Sequence, residues 1–403
     1  MTRTPSDNSE QRARLGKTFA YFAVFVALGL GGVVLGPTLQ GLADHTLSTL
    51  SQISIVFSAR AFGYMVGAFV SGRLYDRMPG HPVIAAMIVG MAVTLFLTPL
   101  VPYLWLLVVV LLVLGVAEGG VDVGGNAMLV WVHGSRLGPF MNGLHFFWGV
   151  GAFLSPIIIA RTVLLSGDIT LAYWLIAVLV LPPAFVLLRL PSPLAHTHAA
   201  GRPSGPLNMK LLLLVLAFFA VYVGAEGTFG GWIFTYAVSL GMADRVTAAY
   251  LTSVFWGSLT LGRLLSIPLA TRFRPSTILL GDLLGCLFSV ALILLFPRSA
   301  TIVWVGTFGA GLFMASMFPT LIAFAERRMA ISGQITGFFL LASAAGGMTI
   351  PWLVGQLFER IGPRVTIVMA FASIVIALLA FSAALRIGGE AAPDAAVHRE
   401  ATL

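Results

Sequence analysis

Apolar residues in this chain come in long unbroken runs, with polar residues, Gly and Pro gathered in the short stretches between them. A helix needs about twenty apolar residues to cross a bilayer. Windows of that length place spans near 17–41, 48–71, 82–100, 103–132, 138–163, 170–190, 209–237, 246–271, 276–296, 300–324, 333–357 and 363–386. The longest polar interruption, 191–208, is rich in Pro, Ser, Gly and His and separates six spans from six. The pattern predicts an all-α polytopic membrane protein of twelve transmembrane helices in two six-helix bundles, 17–190 and 209–386. An N-terminal tail 1–16, a linker 191–208 and a C-terminal tail 387–403 complete it.

Composition agrees: 58% of residues are hydrophobic and 9% charged, with a mean hydropathy of +0.97, outside the range of soluble domains. The net charge of +8 would suit a nucleic-acid partner, but the basic residues sit at the ends of apolar runs, where topology explains them. Of the 23 Lys and Arg, Arg60 and Arg263 lie inside spans and Arg161, Arg245, Arg298, Arg360 and Arg364 in one set of loops; the other sixteen lie on the opposite side. That bias predicts both termini in the cytoplasm. Residence in the plasma (inner) membrane and no bound nucleic acid are expected beside it. The first apolar run is longer than a signal-peptide core, so it reads as an uncleaved span. A lone Cys286 leaves no disulfide framework.

Against this background the polar residues at membrane depth stand out. Glu118, Asp122 and Asn126 are spaced four apart in span 4 and share one helix face. Such groups are costly against lipid and face a cavity or a partner. Gly115, Gly119, Gly120, Gly124 and Gly125 form two G-x-x-x-G ridges beside them, suited to close helix approach. The deep acids are Glu118, Asp122 and Glu226; the deep bases are Arg60 and Arg263. Asp282 is set aside because it lies near the end of span 9, within reach of water. Arg60 and Glu118 fall at similar depth and are expected to pair. One acid is then left without a permanent counter-charge, which suits a proton carrier. Asp122 or Glu226 is the expected proton site, with Glu118 and His145 in the same coupling set; static ion pairs between helices are the competing reading. Pro37, Pro156, Pro319 and Pro351 mark places where spans bend or break.

The segment Gly72-Arg73-Leu-Tyr-Asp76-Arg77-Met-Pro-Gly80-His-Pro, between spans 2 and 3, resembles the G-x-L-x-D-R-x-G-R signature of the major facilitator superfamily. Pro79 and His81 depart from the pattern. Asp76 is expected to cap a helix N-terminus or pair with Arg across the halves, closing the inner gate. The second half carries a copy at Ser266 to Arg274 without the acid. Asp122-Val-Gly-Gly-Asn126, the segment Leu144-His145-Phe-Phe-Trp148-Gly149, and Gly224-Ala-Glu226 followed by Gly231-Trp232 are similar to the fucose, glucose and sodium-glucose branch of that superfamily. The resemblance implies two bundles rocking about a central site lined by Asp122, Asn126, His145, Glu226 and Trp232. It also implies a sugar as cargo. Sugars are held by carboxylates and amides against aromatic rings, and Trp148, Trp232, Trp256, Tyr236 and Trp352 supply rings.

The expected function is therefore secondary active transport of a small polar solute, a monosaccharide above all, by proton symport. Sodium is open as the coupling ion, no other cofactor is expected, and a monomer in the bilayer is the expected form. A proton-driven exporter of drugs or lipids on the same fold is one alternative, and a sensor that binds without transporting is another. No Walker loop, G-x-S-x-G, H-E-x-x-H or Cys/His cluster is present, so neither nucleotide-driven transport nor an enzyme is expected.

Overall fold

A computed structural model of the chain describes residues 5–134, 137–193, 208–329, 331 and 333–387. The outermost parts of both tails, Arg136 and most of the linker lie outside the described residues. Span 1 is Pro5–Gly32 continued by Leu35–His45, so the helix begins inside the segment expected as a polar tail. Span 2 is Leu50–Ile53 with Ile55–Tyr75, span 3 Gly80–Leu97, span 4 Leu104–His133, span 5 Gly138–Ser166, and span 6 Thr170–Leu179 with Pro182–Leu188. Span 7 is Met209–Ser239, span 8 Arg245–Arg272, span 9 Pro275–Leu295, span 10 Ala300–Met314 with Met317–Glu326, span 11 Gly333–Ile361 and span 12 Val365–Ile387. Eleven of these are long and apolar enough to cross a membrane. Span 8 has the length, but Arg263 and a run of Ser and Thr lower its hydropathy.

Two prolines break helices four residues upstream of themselves. A proline lacks the N–H that would bond the carbonyl four residues back, and its ring crowds that carbonyl. Span 1 breaks at residues 33–34, four before Pro37, and span 10 at 315–316, four before Pro319. Pro156 and Pro351 sit inside continuous helices.

The glycine ridges of span 4 set its register against span 2. A Cβ on Gly115 would lie 2.0 Å from the Arg60 carbonyl oxygen, and one on Gly119 2.2 Å from that of Tyr64. Gly63 and Gly67 of span 2 meet the carbonyls of Leu112 and Val116 at 2.0 and 2.1 Å in the same sense. Backbone thus lies on backbone, and side chains flanking the ridge are brought opposite each other. Gly120 and Gly124 instead receive Ser71, Met87, Tyr75 and Ile84, while Gly125 receives Phe25 of span 1.

Each half has its own apolar core, and a few residues cross over: Trp232, Val354, Phe358 and Val365 belong to the first core, Val33, Ala152 and Ala160 to the second. The halves are sealed at the end away from the termini. There Gly36 of span 1 would place a Cβ 2.4 Å from the Gly230 carbonyl, and Gly355 of span 11 one 2.1 Å from Ser54. Ser51 donates to Gln356 Oε1 at 3.0 Å, Gln356 Nε2 donates back to the Ser51 carbonyl at 2.8 Å, and the Leu50 amide donates to Glu359 at 3.0 Å. Arg245 and Asp44 add an exposed ion pair at 3.3 Å.

At the other end span 8 is exposed on every face from Leu264 to Arg272 apart from half-buried Ser266. Over that length no face of the helix is covered by a neighbour. Tyr64 tells the same story: it is 36% exposed although it lies one turn from the buried Arg60–Glu118 pair. The molecule is closed at one end and open toward the side that carries the termini.

Candidate functional site

The register of spans 2 and 4 produces a two-rung polar ladder. On the first rung Arg60 Nη2 donates to Glu118 Oε1 at 2.7 Å and Nε to Oε2 at 2.8 Å, a side-on bidentate pair. Arg60 Nη2 also reaches the carbonyls of Gly32 at 2.7 Å and Gly31 at 3.1 Å, the last carbonyls before span 1 breaks. A cation at a helix C-terminus satisfies groups that the helix cannot. On the second rung the Tyr64 hydroxyl donates to Asp122 Oδ2 at 2.5 Å, and Asn126 Nδ2 donates to Asp122 Oδ1 at 3.1 Å and to the Asp122 carbonyl at 2.9 Å.

The pair expected between Arg60 and Glu118 is present. The Glu118 carboxylate is 3% exposed and both its oxygens are taken by one guanidinium, which also holds the carbonyls at the break in span 1. Asp122 and Asn126 are half-buried beside exposed Tyr64. Sequence reading missed Tyr64. The signal was present, because Arg60 to Glu118 and Tyr64 to Asp122 are both separations of 58 residues.

Across the seam, Arg263 of span 8 holds its guanidinium 5.4 Å over the Trp148 ring of span 5. It lies within electrostatic reach of His145 in the first half and of Glu226 in the second. His145 is half-buried with its ring edge-on to Phe25 at 5.8 Å. Trp148 meets Trp256 edge-on at 5.5 Å, and Trp256 packs on Gly230, one turn beyond Glu226. Trp256 is 8% exposed, and its indole Nε1 is buried without a hydrogen-bond partner. Trp148, Trp256, His145, Arg263 and Glu226 thus gather where spans 1, 5, 7 and 8 meet.

Glu226 accepts a hydrogen bond from the Tyr222 hydroxyl on its own helix, and Tyr222 also lies 3.1 Å from the Met314 carbonyl of span 10. Asp282, set aside by sequence reading, belongs to this cluster. It accepts a hydrogen bond from Ser316 at the break of span 10 and acts electrostatically on Tyr222. Water access near a helix end was the wrong criterion, because the break brings a polar side chain to it.

Trp232 also departs from expectation. It is fully buried, donates from Nε1 to the Pro351 carbonyl at 3.0 Å, and is packed between Phe57 and Phe358. Here it packs as a plug in the closed end. The gating segment is likewise disengaged. Asp76 is exposed at the C-cap of span 2, and span 3 begins at Gly80 with Pro79 at its N-cap and no side-chain cap, because span 2 runs to Tyr75 and leaves Asp76 outside the next helix. Arg73 lies 3.9 Å over the Phe69 ring, Arg77 is exposed, and nothing approaches Gly72; Gly80 is packed against Met128. His81 is buried, bonded to the Leu190 carbonyl at 2.9 Å and to the Tyr21 hydroxyl at 2.8 Å. It ties spans 1, 3 and 6 together.

Two halves of six helices, sealed at one end about a polar centre, define a secondary transporter. The family model of the Major Facilitator Superfamily matches residues 19–351, and the chain belongs to that superfamily. It is 31% identical to the sodium-dependent glucose transporter 1A of Mus musculus over 83% of this chain and 88% of that protein. It is 29% identical to the sodium-dependent glucose transporter 1 of Homo sapiens over 83% of this chain and 72% of that one. Among solved structures, the nucleoside transporter NupG superposes with a TM-score of 0.71 at 18% identity, covering 93% of this chain and 99% of that one. A point mutant of the E. coli fucose:proton symporter FucP gives 0.62 at 15% identity over 92% and 99%. The protein is a multi-pass membrane transporter of a small-molecule substrate, not an enzyme.

Proposed function

We propose that the protein takes up a hexose or a similar polyhydroxyl solute by proton symport, with the termini in the cytoplasm of a plasma (inner) membrane protein and the structure open to the cytoplasmic side. The observation that carries the reading is the gathering of Arg263, His145 and Glu226 with two tryptophans at the seam between the halves. A pyranose offers hydroxyls to a carboxylate and a guanidinium and an apolar face to a ring. The relatives named as glucose transporters point the same way. The bundle divisions 17–190 and 209–386 supply the two bodies that rock, and their disengaged Gly72–Gly80 segment would close the cytoplasmic end.

Of the two expected proton sites, Glu226 is the better suited. Asp122 receives one donor on each oxygen, the environment of a fixed anion. Among the described residues Glu226 receives the Tyr222 hydroxyl, which a second acceptor shares, and lies within electrostatic reach of Arg263. A second reading keeps the cargo and replaces the proton by sodium; the relatives' printed names favour it. The test is uptake of labelled hexoses into proteoliposomes under an imposed pH gradient or an imposed sodium gradient. Accumulation driven by the pH gradient alone is expected. Accumulation that needs sodium and ignores the pH gradient overturns proton coupling, and no hexose uptake under either overturns the cargo.

A further inference from the structure

We propose that Tyr222 is the positioning residue that ties the charge of Glu226 to the break in span 10, as a hydroxyl that has two acceptors and one hydrogen. The inference rests on the proton-coupling reading of Glu226. Tyr222 is 1% exposed, so water cannot make good a missing bond. Its oxygen lies in hydrogen-bond contact with Glu226 Oε2 and 3.1 Å from the Met314 carbonyl oxygen. An ionised carboxylate and a carbonyl are both acceptors only, while the phenol can donate once. With Glu226 ionised, the phenolic hydrogen goes to the carboxylate, and the Met314 carbonyl faces an oxygen lone pair. When Glu226 takes a proton from water, its new O–H donates to the Tyr222 oxygen, and the phenolic hydrogen is released to Met314. Every group is then satisfied: Glu226 O–H to Tyr222, Tyr222 O–H to Met314 carbonyl. One proton added at span 7 therefore makes one hydrogen bond at span 10.

That bond falls where it can matter. Met314 is the last residue of the first segment of span 10, and its carbonyl is among those a helix end leaves for outside donors. The break is gripped from the other side as well, by Ser316 donating to Asp282 of span 9. Span 8 closes against the same turn, where a Cβ on Gly262 would lie 2.4 Å from the Leu312 carbonyl. The groups facing Glu226 and its partner are few. Span 8 supplies Arg263, span 9 supplies Asp282 beyond Tyr222, and His145 of span 5 faces Arg263 from the other half. Span 11 presents Gly346 and Ile350 to span 7 at Gly224. Among the described residues the first half has no counterpart of the device, since Tyr64 donates to Asp122.

The experiment uses the full chain in proteoliposomes, with Tyr222→Phe and Glu226→Gln beside the wild type. Half-saturation for labelled glucose in counterflow is measured against pH, and hydrogen exchange across 312–318 is followed by mass spectrometry with the intrinsic pH effect removed. For the wild type, half-saturation shifts on the order of tenfold per pH unit across the titration, one proton per substrate, with slower exchange at 312–318 on the acid side. Tyr222→Phe removes the shift and leaves exchange at 312–318 fast at every pH, while counterflow persists. Glu226→Gln, whose amide can donate to Tyr222 as the acid does, removes the shift but keeps the segment slow at every pH. A Tyr222→Phe protein with the wild-type pH shift overturns the inference and leaves Glu226 as the proton site. A Glu226→Gln protein whose segment exchanges as fast as ionised wild type also overturns it. A wild type with no pH shift overturns the proton-coupling reading and this inference together.

Discussion

The polar seam between spans 2 and 4 and the one among spans 7, 9 and 10 are built from the same kinds of residue and reach opposite conditions. In the first, every carboxylate oxygen has a donor of its own: a bidentate guanidinium on Glu118, a phenol and an amide on Asp122. In the second, Glu226 and the Met314 carbonyl compete for one phenolic hydrogen. A fully satisfied buried network makes a half rigid, and a network one hydrogen short makes a place where a proton changes the structure. The first half reads as scaffold and the second as switch.

The largest way to break that contrast is at the scaffold. Arg60→Ala leaves Glu118 buried without its partner and two helix-end carbonyls without a donor. Removing one member of a buried pair costs about 3–5 kcal/mol, so thermal unfolding in detergent is expected well below the wild type. A smaller loss, about 1–3 kcal/mol from overpacking, is expected from Gly115→Val, whose Cβ would lie 2.0 Å from the Arg60 carbonyl. If either protein unfolds at the wild-type temperature, the ladder is not a scaffold. Trp232→Phe keeps a ring between Phe57 and Phe358 but loses the bond to Pro351. It is expected to weaken the closed end by about 1 kcal/mol, read as increased labelling from outside of a cysteine introduced beside it.

The smallest effect concerns a loop. Asp168 lies outside the spans. Burial pushes its carboxyl upward, but the Thr170 hydroxyl, the Ile169 amide and nearby His45 outweigh that and hold it below its ordinary value of 3.8. A carboxyl lowered by folding contributes stability that is complete above its unfolded value and lost as pH falls through its folded value. Asp168→Asn should therefore reduce stability at neutral pH slightly and flatten the acid limb of a stability–pH curve below about pH 4. An unchanged acid limb contradicts that assignment.

Much of this was legible in the chain. Hydropathy located the twelve helices, and the spacing of Glu118, Asp122 and Asn126 put them on one face. The glycine ridges foretold the close approach of a neighbour but not which glycine meets which helix; only the register against span 2 decides that Glu118 meets Arg60 and Asp122 meets Tyr64. Trp232 was misplaced because a tryptophan suits a cavity wall and a sealed gate equally well in sequence, and the conformation decides between them. Asp282 was overlooked because its partner is created by a break in another helix, a consequence of Pro319 that acts across the bundle rather than along the chain.

The central claim is that protonation of Glu226 drives accumulation. Its most direct test is uptake of labelled glucose by proteoliposomes containing Glu226→Gln, with the outside made more acidic than the inside. The wild type is expected to concentrate glucose, while the variant equilibrates it by counterflow and concentrates none. Concentration by the variant to the wild-type level would contradict the account.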